Sequence, residues 1–340
     1  MMQFSQHLSF RMANGYIRTL SLLALMLGIT ISTTAQKSRA KKQPAAYSAY
    51  LFTYFTGNDK SEEQICFAVS NDGYHFRALN GNKPVINSAD ISETGGVRDP
   101  HMLRGADGKT YYMVATDMVS AKGWNSNRGL VMMKSTDLIH WTSSAINLQK
   151  RYAGQDSLLR VWAPQVIYDD SVKKYMLYFS VKYGNAPDKI VYVYANKDFT
   201  NLEGEMKQLF FNPDNAACID GDIQKKDGHY YLFFKTEDRR PGIKIAVSDR
   251  LTGGYTMQSN DYVQQTDKPV EGAGTFKLND GSGYILMYDM YTSGRYQFTK
   301  TTDFKNFRAI DENISLDFHP RHGTIMPITA AELARLNATW

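Results

Sequence analysis

The chain has 340 residues, 43% of them hydrophobic and 13% aromatic, enough for a large core in one all-β domain. Its net charge of +5 is unevenly placed: two arginines in residues 1–35 and four cations in residues 36–46 exceed it, leaving −1 on everything that follows. With no basic field on the body of the chain, nucleic acid is excluded as a partner, and two cysteines are too few for a disulfide framework.

In chain order, residues 1–35 come first. Arg11 and Arg18 precede the apolar run LSLLALMLGITIS, and TTA leads into Gln36. This order reads as a secretory signal peptide, with export to the periplasm or medium. The apolar run is short for a membrane span, so no span is expected in the mature chain. Residues 36–46, QKSRAKKQPAA, read as a flexible basic spacer, and residues 47–340 as the folded domain.

From Tyr50 onward a short pattern recurs: SNDGYHF, STDLIHW, NKDFTNL, SDRLTGGY and TTDFKNF. Its aspartates are Asp72, Asp137, Asp198, Asp249 and Asp303, at separations of 65, 61, 51 and 54 residues. These aspartates read as structural turn residues. Four longer segments alternate with them: VRDPHMLRGADGKTYYMVATD, VWAPQVIYDDSVKKYMLYFSV, CIDGDIQKKDGHYYLFFKTE and VEGAGTFKLNDGSGYILMYDM. Each is an apolar strand, a turn, and a Tyr-rich strand. The pattern predicts an all-β, five-bladed β-propeller of four-stranded blades. PRHGTIMPIT has no hairpin partner after it, while AYLFTYF and ICFAVS have no opening strand before them. The ring should therefore close by pairing residues 320–328 with residues 49–55, which also removes exposed sheet edges. Cys66 and Cys218 then fall in different blades as free buried thiols.

If the opening strand of each blade lines the central channel, Asp99, Trp162, Asp220, Glu271 and His322 stand at equivalent points near one mouth. Three carboxylates gathered from three blades repel one another, a cost that catalysis would explain. The ordered set RDPHML, WAPQV, IDGDI, VEGAG and RHGTI resembles glycoside hydrolase family 43, over about residues 50–328. The resemblance implies a propeller enzyme with Asp99 as general base, Asp220 orienting groups and tuning the acid, and Glu271 as general acid. Gly221 stands where that family often has proline, and Asp222 follows. Strand alternation puts both aspartates of IDGDI on one face, so which of them points inward stays open.

Inverting hydrolysis needs an acid on the leaving oxygen and a base on water across the ring, roughly 6.5–9.5 Å apart. Arg98 or Arg321 could hold Asp99 ionised. Trp162 either stacks on a sugar or packs between blades. Tyr54, Phe55 and Trp124 are candidates for the pocket wall, and Arg321 for a sugar hydroxyl. His322 binds a sugar hydroxyl, serves structure, or reaches a water on the channel calcium that the resemblance implies; no other cofactor is expected. The reading is an exo-acting α-L-arabinofuranosidase or β-xylosidase on soluble plant-type oligosaccharides, with no oligomeric state specified. Two alternatives are a retaining fructan-type propeller hydrolase, which would need an Asn-Asp-Pro absent here, and a non-catalytic glycan-binding propeller.

Overall fold

The computed structural model describes residues 46–340. The segments expected to be a signal peptide and, nearly all of it, a basic spacer lie outside the described residues. Five sheets follow one another in a ring, and the innermost strand of each contacts the innermost strands on both sides. This is the five-bladed propeller.

Blade I joins the two ends of the domain. Its inner strand, Thr324–Thr329, pairs with Tyr47–Tyr54, which pairs with Cys66–Ser70 and then His75–Ala78. The closing register runs from Tyr47 opposite Thr329 to Thr53 opposite Thr324, as the unpartnered last motif requires. A fifth strand, Ser315–Leu316, adds in parallel outside His75–Ala78, which the sequence pattern did not indicate. Blades II to V begin with the inner strands Val97–Arg104, Leu158–Asp169, Cys218–Lys226 and Glu271–Lys277. Their second strands are Tyr111–Asp117, Lys174–Tyr183, His229–Thr236 and Tyr284–Met290.

The second strands explain the core. A propeller blade is covered on both faces, so both sets of alternating side chains are buried and the strand reads as a nearly unbroken apolar run. In blade I, Tyr50, Phe52 and Tyr54 pack against blade V, while Ala49 and Leu51 pack against blade II. In blade II, Tyr111 and Met113 face blade I, and Tyr112 and Val114 face blade III. The core is thus five separate clusters, one between each pair of neighbouring blades. Cys66 lies in the cluster between blades I and V and Cys218 in that between III and IV, both buried and free. Burial pushes both thiols up to about 12.

The repeated turn aspartates hold the outer turns. Asp72 accepts the N–H groups of Tyr74 and His75, Asp137 those of Ile139 and His140, and Asp303 those of Lys305 and Asn306. Asp198 and Asp249 depart from this pattern: Asn196 accepts the equivalent N–H groups of its turn, and Asp249 pairs with His229.

A C-terminal helix, Ala330–Thr339, follows the closing strand, with a capping box formed by Thr329 and Glu332. Leu336 enters the cluster between blades I and II, and Glu332 pairs with Arg104 at 2.7 Å and with the Tyr111 hydroxyl. Burial raises the Glu332 carboxyl, but Arg104, the Thr329 N–H and Tyr111 outweigh it and bring it down to about 2. A carboxyl lowered on folding adds stability above its unfolded value near 4.5 and loses it as pH falls through about 2. Glu332→Gln should therefore cost about 2 kcal/mol at pH 7, short of the full linkage value because the pair keeps some solvent contact. Urea unfolding of the two proteins should converge as pH falls from 5 towards 2.

Candidate active site

The site begins with a backbone irregularity repeated from blade to blade. Each inner strand of blades II to V breaks register at an equivalent place: between Arg98 and His101, Trp162 and Gln165, Ile219 and Asp222, and Glu271 and Gly274, with a further break in blade III between Leu158 and Arg160. At each equivalent break the second residue has a left-handed backbone: Asp99 (φ 51°), Ala163 (φ 46°), Asp220 (φ 52°) and Gly272 (φ 63°). Such bulges re-aim side chains, and a non-glycine residue held there carries strain. The structure corrects the sequence alignment of the blades. Asp99 and Asp220 are equivalent, but Glu271 and Trp162 sit one position earlier, level with Arg98 and Ile219.

The bulges turn Asp99, Asp220 and Glu271 into one cavity of about 450 Å³, with a wall drawn from all five blades. Trp162, Trp124, Arg321 and His322 line it as well. Tyr54 and Phe55 are buried core residues and stand behind the wall. Asp222 is not in the cavity: its carboxylate accepts the Thr275 N–H at 2.9 Å and the Thr275 hydroxyl, tying blade IV to blade V. The bulge separates two aspartates that plain alternation put together, and Asp220 is the inward one.

The three cavity carboxyls have different surroundings. Asp99 accepts the Thr116 hydroxyl at 2.8 Å and lies 3.5 Å from His322 Nδ1. Burial pulls its carboxyl upward, but the hydrogen bond and charge of His322, with Arg98 and Thr116, hold it below the ordinary value. His322 answers in kind: burial lowers it, yet Asp99, Asp220 and Glu271 bring it up to about 9, a protonated imidazole. Asp220 accepts the Gly272 N–H at 3.0 Å. Burial first, then the charges of Glu271 and Asp99, push it up to about 6 against His322 and Lys235. Glu271 sits between two cations, Lys235 Nζ at 3.2 Å on one oxygen and Arg321 at 3.2 Å on the other. Arg321 is committed to Glu271 and to buried Asp289, so the partner that holds Asp99 is His322, with Arg98 farther off.

Arg98 itself is held by Glu63 at 3.0 Å and Asn58 at 2.8 Å, beneath Phe55 and Trp124. Trp162 lies under the Arg160 guanidinium at 3.7 Å and meets Trp124 edge to face, so it both packs and faces the cavity. Trp124 is 51% exposed.

The side chains present do not by themselves form a cage for the calcium that the resemblance implies. Calcium takes six to eight oxygen ligands. Among the described residues no group of three or more His, Cys, Asp or Glu side chains is gathered for a metal. His101 is pushed down to about 3 by burial and by the His322 charge, and its Nδ1 accepts the Val166 N–H at 3.3 Å. Among the described residues no helix is long and apolar enough to cross a membrane.

Sequence reading missed Lys235, Glu237, Tyr291 and Asp289. A signal for two of them existed. The second-strand residues paired with Arg98, Trp162, Ile219 and Glu271 are Thr116, Ser180, Lys235 and Asp289, a polar residue near the end of each apolar run.

A family model described as a probable glycosyl hydrolase domain, related to glycoside hydrolase family 43, matches residues 45–334. An alpha-L-arabinofuranosidase of Bifidobacterium longum subsp. longum is 27% identical over 324 residues, covering 79% of this chain and 29% of that protein. The chain thus spans less than a third of that relative's length. An endo-1,4-beta-xylanase from Bacteroides thetaiotaomicron superposes with a TM-score of 0.56 at 16% identity, over 82% of this chain and 97% of the other. A xylan beta-1,4-xylosidase from Bacillus halodurans gives 0.55 at 16% identity, over 82% and 56%. At such identities the structural likeness concerns the fold.

Two outcomes follow from the geometry. A methyl group on Gly272 would lie 2.7 Å from the His322 ring at a left-handed φ, so Gly272→Ala should cost about 1–3 kcal/mol in chemical unfolding. His322, raised on folding, adds stability that is complete below its unfolded value near 6.5 and is lost as pH rises through about 9. The melting temperature of the wild type should fall across that interval, and His322→Gln should flatten the fall.

Proposed function

Since the chain belongs to the glycosyl hydrolase family related to glycoside hydrolase family 43, we propose that it is an exo-acting, inverting glycoside hydrolase removing α-L-arabinofuranosyl or β-xylosyl groups from oligosaccharides. The observation that carries this reading is the convergence of Asp99, Asp220 and Glu271, from three blades, on one cavity in three distinct electrostatic settings. A cavity walled by all five blades is a pit, which suits a chain end better than the middle of a polymer. The choice of sugar is supported by the arabinofuranosidase and xylosidase among the similar proteins.

In this mechanism Asp99, held ionised beside protonated His322, takes a proton from water. The water oxygen bonds to the anomeric carbon as the glycosidic C–O bond breaks. Glu271 gives its proton to the leaving oxygen. Asp220 holds the Gly272 N–H, and so the backbone that carries Glu271, and adds negative charge beside the acid. Trp124 and Trp162 offer apolar faces for sugar rings, with His322 and Arg321 as donors to hydroxyls. Export to the periplasm or medium is part of the proposal and rests on residues 1–35; amino-terminal sequencing of the exported form should begin near Gln36.

Loss of a general acid matters most for a poor leaving group. Glu271→Ala should lose little on an activated aryl glycoside and far more on an oligosaccharide, whereas Asp99→Ala should fall by roughly 10²–10⁴-fold on both. NMR should find the first-formed sugar with inverted anomeric configuration. Retention, or equal losses for Glu271→Ala on both substrates, would overturn the assignment.

A further inference from the structure

Lys235 is a buried ammonium, 5% exposed, between Phe234 and Thr236, neither of them exposed. Burying such a charge is costly unless it is well paired. The blade architecture does not require it. At the same place in blades II and III, paired with the residue just before the left-handed bulge, stand the neutral hydroxyls Thr116 and Ser180. These do the structural task there: Thr116 accepts the Ala163 N–H at 2.9 Å, and Ser180 accepts the Asp220 N–H at 3.2 Å, each from the next blade. Lys235 also reaches the next blade, but meets the Glu271 carboxylate at 3.2 Å. Its other partners are Glu237 at 3.1 Å on the cavity wall and the face of Tyr291, 5.1 Å away.

We propose that Lys235 is a positioning residue for the reaction. It fixes one oxygen of Glu271 from blade IV while Arg321 fixes the other from blade I, and Glu237 shares it so that its charge on Glu271 is tempered. The inference rests on the acid role of Glu271. The other groups acting on Glu271 are Asp220 from blade IV, Asp289 and Tyr291 from its own blade, Tyr296 from the third strand of that blade, and His322 from blade I. Of the two cations in contact with Glu271, Arg321 is also bound to buried Asp289, so Lys235 can be neutralised without orphaning that carboxyl.

The test compares Lys235→Thr, which installs the hydroxyl of blade II, with Lys235→Arg and Glu237→Gln in pH–rate profiles on an aryl glycoside and an oligosaccharide. Removing a cation beside the acid favours its protonated form, so Lys235→Thr should move the basic limb of kcat/KM up by roughly one pH unit. Its kcat on the oligosaccharide should fall about 10- to 100-fold, with less loss on the aryl substrate. Lys235→Arg should restore the limb, and Glu237→Gln should move it down. Lys235→Thr should add nothing in a Glu271→Ala background. A merely structural lysine would lower the melting temperature and leave the limb in place, and that result overturns the proposal. If instead Glu271→Ala alone loses equally on both substrates, the acid assignment has failed, whatever Lys235→Thr does.

Discussion

The cavity depends on the left-handed bulge in the inner strands of blades II to V. A regular strand sends successive side chains to alternate faces, towards the two neighbouring blades. It has no direction left for a side chain aimed along the channel. The bulge supplies one, at the cost of a strained φ at Asp99, Ala163 and Asp220 and of a residue without a side chain at Gly272. The strain is held by the neighbouring blade. Thr116 receives the Ala163 N–H, Ser180 the Asp220 N–H, and Asp220 the Gly272 N–H. The bulges of blades III, IV and V are therefore each locked by the blade before them.

Charge is the second constraint. Four carboxylates of the cavity and its immediate backing, Asp99, Asp220, Glu271 and Asp289, are close enough to influence one another. They are not neutralised one by one. His322 answers Asp99 and also feels Asp220 and Glu271, while Arg321 spans Glu271 and Asp289. Blade I thus brings adjacent cations, Arg321 and His322, into a cavity whose carboxylates come from blades II, IV and V. The same closing segment that completes the sheet completes the electrostatics. Asp220 and Asp289, both buried, are pushed up to about 6, whereas Asp99 beside its imidazolium is held low. Neighbouring carboxyls are thus held in different electrostatic settings.

The sequence by itself determined the blade count, the strand pairing that closes the ring, and the three carboxylates. Those features are carried by local patterns: a turn aspartate accepting backbone N–H groups, apolar runs buried on both faces, and a motif at the head of each inner strand. It also separated Cys66 from Cys218, because each belongs to a different blade. It did not determine the partners of those carboxylates. Arg321 looked as near to Asp99 as Arg98 did, and only the packing of blade I against blades II and V sent it to Glu271 and Asp289. It did not distinguish Asp220 from Asp222, because alternation assumes a regular strand, and the strand has a bulge between Ile219 and Asp222 whose Asp220 N–H is held by Ser180 of the blade before it. Lys235 and Asp289 stood in plain view near the ends of apolar runs, but their meaning lies in what faces them across a blade boundary. Distances between blades are tertiary quantities, and the chemistry of this cavity is made almost entirely of them.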